Sequence, residues 1–142
     1  MEQITISTDK SRLDLAVIHR FLSHSYWAEG IPMELVGKSI EHSLCFGVYD
    51  GDRQVGFARV ISDLTTFAYL ADVFILESHR GRGLSKLLMR EIMGHPDLQG
   101  LRRFMLSTSD AHELYRRFGF TDLSRPQSQM EIVWPEVYRQ RR

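Results

Sequence analysis

Two periods of apolar residues, one of two and one near 3.6, succeed each other along the chain and predict strands and helices in a definite order. Ile4 and Ile6 alternate with polar neighbours in a short first strand. Asp9 is placed to cap a helix whose apolar positions are Leu13, Ala16, Val17 and Phe21, ending near Ser23. The stretch from His24 to Pro32 is aromatic and polar, is interrupted by Gly30 and Pro32, and reads as a loop; Met33 to Glu41 follows as a second short helix. Leu44 to Tyr49 reads as a strand, Asp50-Gly51 as a tight turn, and Gln54 to Ile61 as the returning strand. Ser62 to Thr65 connects it to a third strand, Thr66 to Leu76, so an antiparallel meander leads into the middle of the sheet.

That middle strand is apolar at both parities, with Phe67, Tyr69, Val73 and Ile75 on one and Ala68, Leu70, Phe74 and Leu76 on the other, as in a strand buried on both faces. Asp72 interrupts the run. A carboxylate there needs a hydrogen-bonding or Arg partner, or else a solvated cleft with a raised pKa that suits a general base, and the sequence leaves both open. After Gly83 the period turns helical, with a stripe of Leu84, Leu87, Leu88 and Ile92 that stops at Gly94. Leu101 to Leu106 is the next strand, and Ala111, Leu114, Tyr115 and Phe118 recur at helical spacing until Gly119. Asp110 and Glu113 resemble a capping box for that helix. Met130 to Trp134 reads as a final strand whose partner starts at Phe120.

The junction Arg80-Gly81-Arg82-Gly83 is where chemistry enters. Glycines at a strand-to-helix turn let backbone approach a ligand closely, the new helix offers unpaired N–H groups to an anion, and Arg80, Arg82 and Lys86 add positive charge. The residues fit either a site for a phosphate-bearing ligand or a structural turn. A dinucleotide fingerprint would need a third glycine at Lys86, and a phosphate-loop hydrolase would need Gly-Lys-Ser/Thr where this chain has Gly83-Leu84-Ser85-Lys86, so neither pattern fits and a phosphate-loop hydrolase ranks far below the other readings.

Composition narrows the setting. With 142 residues and 43% hydrophobic content the chain is long enough for one domain with a core, spanning 1–142, in which 136–142 (with Arg139, Arg141 and Arg142) forms a basic solvated tail. Lys plus Arg and Asp plus Glu balance at 18 each, so no overall field draws the protein to nucleic acid or an anionic membrane. The lone Cys45 allows no intrachain disulfide, the first residues lack the pattern of a signal peptide, and no apolar run reaches membrane-spanning length; a cytoplasmic location is the default expectation. His19 and His24 stand at poor spacing for one helical face, and no metal site is expected.

Two blocks carry a resemblance to a known family. Arg80-Gly81-Arg82-Gly83-Leu84-Ser85 resembles the acyl-CoA loop Arg/Gln-x-x-Gly-x-Gly/Ala of the GNAT N-acetyltransferases, with Ser85 where Gly or Ala is usual. Thr108-x-x-Ala111-x-x-Leu114-Tyr115-x-x-x-Gly119-Phe120 is similar to that family's second block, with Thr108 in place of the usual Asn. The resemblance implies an α/β fold: a mixed, mostly antiparallel sheet of about six to seven strands flanked by about four helices, with two splayed parallel strands at its centre. Those two strands would be Thr66 to Leu76 and Leu101 to Leu106.

The same resemblance implies acetyl-CoA as donor, no metal, and a primary amine as acceptor. Arg80, Gly81, Arg82, Gly83, Leu84, Ser85 and Lys86 would take the pyrophosphate. Thr108 would belong to the cofactor site, and backbone near Phe74 and Ile75 would hold the pantetheine and polarise the thioester carbonyl. Tyr115 occupies the position of the general acid for the departing thiolate. Asp72 is the first candidate general base, ahead of Asp63, Glu29 and Tyr69, with a water chain as the alternative. Tyr26, Trp27, Asp63 and Tyr69 are candidate acceptor contacts, and the aromatic pair favours a small-molecule amine over a protein tail. A non-catalytic acyl-CoA sensor is the rival reading, and an exposed edge strand leaves a homodimer open.

Overall fold

The computed structural model describes residues 3–139, so Arg141 and Arg142 of the expected tail lie outside the described residues. The elements are β1 (Ile4–Ser7), α1 (Leu15–Ser23), α2 (Met33–Glu41), β2 (Leu44–Asp50), β3 (Arg53–Ser62), β4 (Phe67–Ile75), α3 (Leu84–Met93), β5 (Arg103–Leu106) and α4 (His112–Arg116). Asp9 caps a 3-10 turn, Lys10–Arg12, rather than the first α-helix. That helix starts at Leu15 because Asp14 offers a second cap, accepting from Val17 N at 3.2 Å, and is pinned by its own N–H to Gln54 Oε1 at 2.7 Å. The expected Asp110–Glu113 capping box does not form; Thr108 Oγ1 accepts from Ala111 N at 3.1 Å instead, and α4 is correspondingly short.

The described strands form one five-stranded sheet in the order β1-β2-β3-β4-β5, antiparallel except for the parallel pair β4–β5. This corrects the expectation of six to seven strands: neither the segment after Phe120 nor Met130–Trp134 is a strand here. Pro126 and the polar run around it end in a 3-10 turn, which turns the chain away before a hairpin can register. The sheet has a core on each face. Ile18, Leu22 and Val36 of α1 and α2 cluster with Cys45, Phe57 and Phe74, whereas Leu84, Leu88, Met89 and Ile92 of α3 and Tyr115 of α4 cluster with Phe46, Val48, Ala68 and Leu70.

A bulge in β4 changes which side chains reach which core. Arg59 pairs with Ala71 and Phe57 with Phe74, so two residues of β4 oppose one of β3, and Asp72 takes the left-handed conformation with φ 57°. Side-chain parity shifts by one across it: Ala68, Leu70 and Ile75 share the α3 core, while Phe74 turns to the α1–α2 core and stacks on Phe21 at 4.1 Å. β3 accommodates the returning strand at Gly56, opposite Ile75. A Cβ there would lie 2.7 Å from Ile75 Cδ1 and 3.0 Å from both Phe74 O and Val48 Cβ. Gly56→Ala is therefore expected to destabilise the fold by about 1–3 kcal/mol, read as a lower urea midpoint at unchanged slope.

Candidate active site

The parallel pair stops before β4 does. Register runs from Phe67–Arg103 to Leu70–Leu106, after which β4 continues through the bulge to Ile75 without its neighbour. Tyr69 ties the strands at the point of separation, its hydroxyl donating to Ser107 Oγ at 3.0 Å. Beyond it opens a cleft of about 790 Å³, walled by β4 from Tyr69 to Ile75 on one side and by Leu106 to Ala111 with Leu114 and Tyr115 on the other. A splay of this kind follows from the bulge, because a strand bent by an extra residue cannot keep a straight partner.

The glycine junction lies at one end of the cleft. A 3-10 turn, Glu77–His79, separates it from β4, and Gly81 (φ 77°) and Gly83 (φ 76°) both take the left-handed conformation that glycine adopts without strain. Arg80 is fixed by its Nε, which donates to Ile75 O at 2.9 Å. Gly83 is the N-cap of α3 and supplies no side-chain acceptor, so the first N–H groups of the helix face outward. A groove of about 350 Å³ opens over these groups, bordered by Arg80, Ser85, Lys86 and Arg117, with Glu113 also on its wall. Arg117 is a cation that the sequence reading missed; it arrives from α4 through packing, and no local spacing announces it.

Tyr115 stands on the cleft wall, only 8% exposed. Burial pushes its phenol up to about 12, and Asp110 and Tyr26 push in the same direction. Among the described residues its hydroxyl has no hydrogen-bond partner, which leaves it available to a ligand in the cleft. Thr108 also lines the cleft, but its hydroxyl oxygen is engaged with the start of α4. Phe74 and Ile75 line the cleft on the β4 side.

On the opposite half, Asp72 is not a lone carboxylate. Oδ2 accepts from Arg59 Nε at 2.8 Å and Oδ1 from Trp27 Nε1 at 2.8 Å, and the Asp72 side chain is 9% exposed. Arg59, unnoticed in the sequence, also donates through Nη1 to Ser43 Oγ at 3.2 Å. Of the two arrangements open for Asp72 in the sequence, the partnered one is observed. Tyr26 reaches across the cleft, where its hydroxyl accepts from Ser109 N at 3.3 Å, and its ring meets Trp27 edge-on at 5.0 Å. Tyr138, from the C-terminal segment, closes the same half against the α1–α2 core.

Two earlier candidates are placed elsewhere. Asp63 closes the β3–β4 turn, accepting from Thr66 Oγ1 at 2.6 Å and from Thr66 N at 2.7 Å; these bonds hold its carboxyl well below the usual range, and it does not line the cleft. Glu29 is likewise absent from the cleft wall. Among the described residues no group of three or more His, Cys, Asp or Glu is arranged to hold a metal ion, and no helix is long and apolar enough to cross a membrane.

Comparison with known proteins bears on this geometry. Residues 41–122 match the profile of the acetyltransferase (GNAT) domain, a span that contains both the glycine junction and Tyr115. A protein of Gibberella zeae named as an acetyltransferase is 32% identical, over 82% of this chain and 78% of its own. A crystal structure from Xanthomonas campestris, described as of the GNAT family, superposes with a TM-score of 0.94 at 60% identity, covering 97% of this chain and 98% of that one. A Clostridium acetobutylicum structure described as a complex with acetyl-CoA shares the fold, with a TM-score of 0.66 at 12% identity over 94% of this chain and 96% of that one.

Proposed function

The chain belongs to the GNAT acetyltransferase family, and from that premise we propose that it transfers the acetyl group of acetyl-CoA directly to a primary amine of a small molecule. The observation that carries this reading is the splay of β4 from β5, with an unpartnered Tyr115 hydroxyl on one wall and a cationic glycine junction at its end. The residues present fit the donor: Arg80, Lys86, Arg117 and the open N-terminus of α3 suit a pyrophosphate, and the exposed stretch of β4 near Phe74 and Ile75 suits an extended amide-bearing arm. When bound, acetyl-CoA supplies an acyl carbon activated as a thioester.

In that arrangement a neutral amine forms the new N–C bond as the C–S bond breaks. Tyr115 gives a proton to the leaving sulfur, and the amine loses one to solvent in the cleft. Backbone N–H donors fixed along β4 stabilise the developing negative charge, an effect of a few kcal/mol for each well-placed donor. Asp72, with both oxygens engaged by Arg59 and Trp27, is assigned to holding the aromatic loop rather than to proton removal. Tyr26 and Trp27 narrow the acceptor side, which favours a small amine over a protein tail.

Titration of the purified chain with acetyl-CoA, followed by thiol release across a panel of amines, tests the reading. Binding together with amine-stimulated release is expected; binding without release from any amine would leave only a sensor, and absence of binding would remove the donor assignment. Cys45 does not confuse a thiol readout, because it is 1% exposed and burial pushes its thiol up to about 11.

Gly83→Ala separates the loop's two roles. No atom lies within 4 Å of the added Cβ, so the cost to the fold is the left-handed backbone alone, about 1 kcal/mol. Acetyl-CoA affinity is expected to fall at least about tenfold, because the methyl group stands where backbone meets the pyrophosphate; an unchanged affinity measured by calorimetry would place the pyrophosphate elsewhere.

A further inference from the structure

Two aromatic side chains on the acceptor half of the cleft stand exposed, Tyr26 at 66% and Trp27 at 41%. Neither ring is loose. The Tyr26 hydroxyl accepts from Ser109 N at 3.3 Å and Trp27 Nε1 donates to Asp72 Oδ1 at 2.8 Å, so each ring is pinned at its polar end. Their edge-on contact at 5.0 Å continues inward through Phe21, 6.3 Å from Trp27, to Phe74, which stacks on Phe21 at 4.1 Å. Rings already fixed lose little side-chain freedom when a ligand packs on them, and exposed apolar surface held at a cleft suits an apolar ligand.

The charges on the cleft wall set what else that ligand carries. Among the described residues they are Arg59, Asp72, Arg80 and Asp110. Arg59 and Asp72 satisfy each other, and Arg80 lies at the glycine junction, bonded to Ile75 O. Asp110 is left: among the described residues its carboxylate has no hydrogen-bond or ion-pair partner. It acts on the Tyr115 phenol, as Tyr26 does, and its neighbour Ser109 holds the Tyr26 hydroxyl, so the three meet at one end of the cleft.

The same charges exclude two kinds of amine. A further hollow of about 570 Å³ shares Phe21, Tyr26 and Trp27 with the cleft; it is lined by Arg20 and His24 and by no carboxylate. A second or third ammonium group would find no counter-charge there. A ligand carboxylate near the amine would meet Asp110, while the Arg59 guanidinium is committed to Asp72 and Ser43.

We propose that the acceptor is an arylalkyl amine with a single positive charge and no carboxylate, a choice that rests on the acetyl-transfer reading of the same cleft. Its aromatic body packs on the pinned rings of Tyr26 and Trp27, and Asp110 receives the arriving ammonium group at the Tyr115 end. Aromatic packing supplies most of the affinity, because Asp110 is solvated and its attraction is screened. Asp110 supplies selection by charge.

Rates of thiol release with 2-phenylethylamine, spermidine and phenylalanine as acceptors test this, together with calorimetric titration of 2-phenylethylamine into the CoA-loaded chain. The kcat/KM for 2-phenylethylamine is expected to exceed that of either other amine at least about thirtyfold. Tyr26→Ala is expected to raise its KM at least about tenfold with kcat within about threefold, while Tyr26→Phe, which keeps the ring, retains most of the affinity. Asp110→Lys is expected to raise the KM for 2-phenylethylamine and lower that for phenylalanine, an exchange of preference that a merely structural role would not produce. A preference for spermidine or phenylalanine in the unaltered chain overturns the proposal and leaves the acetyl-transfer reading standing, as does a KM for 2-phenylethylamine that neither Tyr26→Ala nor Asp110→Lys moves. Tyr26-dependent binding of 2-phenylethylamine without thiol release from any amine would sink the transfer reading and uphold the aromatic amine site. Neither binding nor release overturns both.

Discussion

Tyr115→Phe is expected to lower kcat at least about a hundredfold, in the range measured for removal of a positioned acid, and to leave acetyl-CoA affinity within about threefold. A hundredfold is about 2.7 kcal/mol of transition-state stabilisation, more than packing can account for when the ring is retained against Phe120 at 6.0 Å. The objection is the pKa: a phenol at about 12 is a weak acid beside a thiol of ordinary value near 8.5. Desolvation by the cleft walls shifts a leaving thiol in the same upward direction, which narrows the gap. Position then carries the effect: a phenol held within reach of the sulfur transfers its proton as negative charge builds there, and the remaining gap sets how much it contributes.

The shift also fixes two pH signatures. Tyr115 stays protonated well above neutrality, so it contributes no alkaline loss of kcat below about pH 11. For stability the sign is the opposite of a carboxylate's: between an unfolded value near 10 and the folded value of about 12, the folded chain keeps a proton that the unfolded chain has lost. Stability falls as pH rises across that window, and the Phe variant loses this part of the slope. A near-normal kcat in the Phe variant would show that Tyr115 only packs.

What the sequence could disclose follows from which interactions are local. The glycine junction was legible because positive φ at Gly81 and Gly83 and the start of α3 are encoded within a few residues. Spacing placed Tyr115 on one helical stripe with Ala111 and Leu114, as observed, but what singled it out was the resemblance of Thr108 to Phe120 to the family's second block. Alternation misled at β4: counting by twos assigns Ile75 to the same face as Tyr69, but the left-handed turn at Asp72 resets the count and carries Ile75 to the core of Ala68 and Leu70. Arg59, Arg117 and Tyr138 enter through contacts distant in sequence, which no window of spacing registers. Met130–Trp134 has a strand's composition without a strand's partner in its own chain, so propensity alone produced a sixth and seventh strand that this protomer does not form.

The largest loss of stability is expected from Arg59→Met, which removes one half of a desolvated pair and keeps the aliphatic bulk. Asp72 and Arg59 are 9% and 17% exposed at their side chains, so this is not a solvated surface bridge whose loss goes unnoticed. Trp27 Nε1 alone then faces the carboxylate, and breaking one side of such a buried pair costs about 3 kcal/mol or more. Replacing both partners removes the stranded charge, so Arg59→Met with Asp72→Asn is expected to recover most of the loss, Asn being also among the few residues that tolerate the φ of 57° held by Asp72. Asp72→Ala should recover less, since alanine pays the left-handed strain and gives Trp27 no acceptor. Urea midpoints for the single and double variants settle this. Equal and additive losses would mean that the pair is not coupled, and the aromatic loop over the acceptor side would then need another anchor than Asp72.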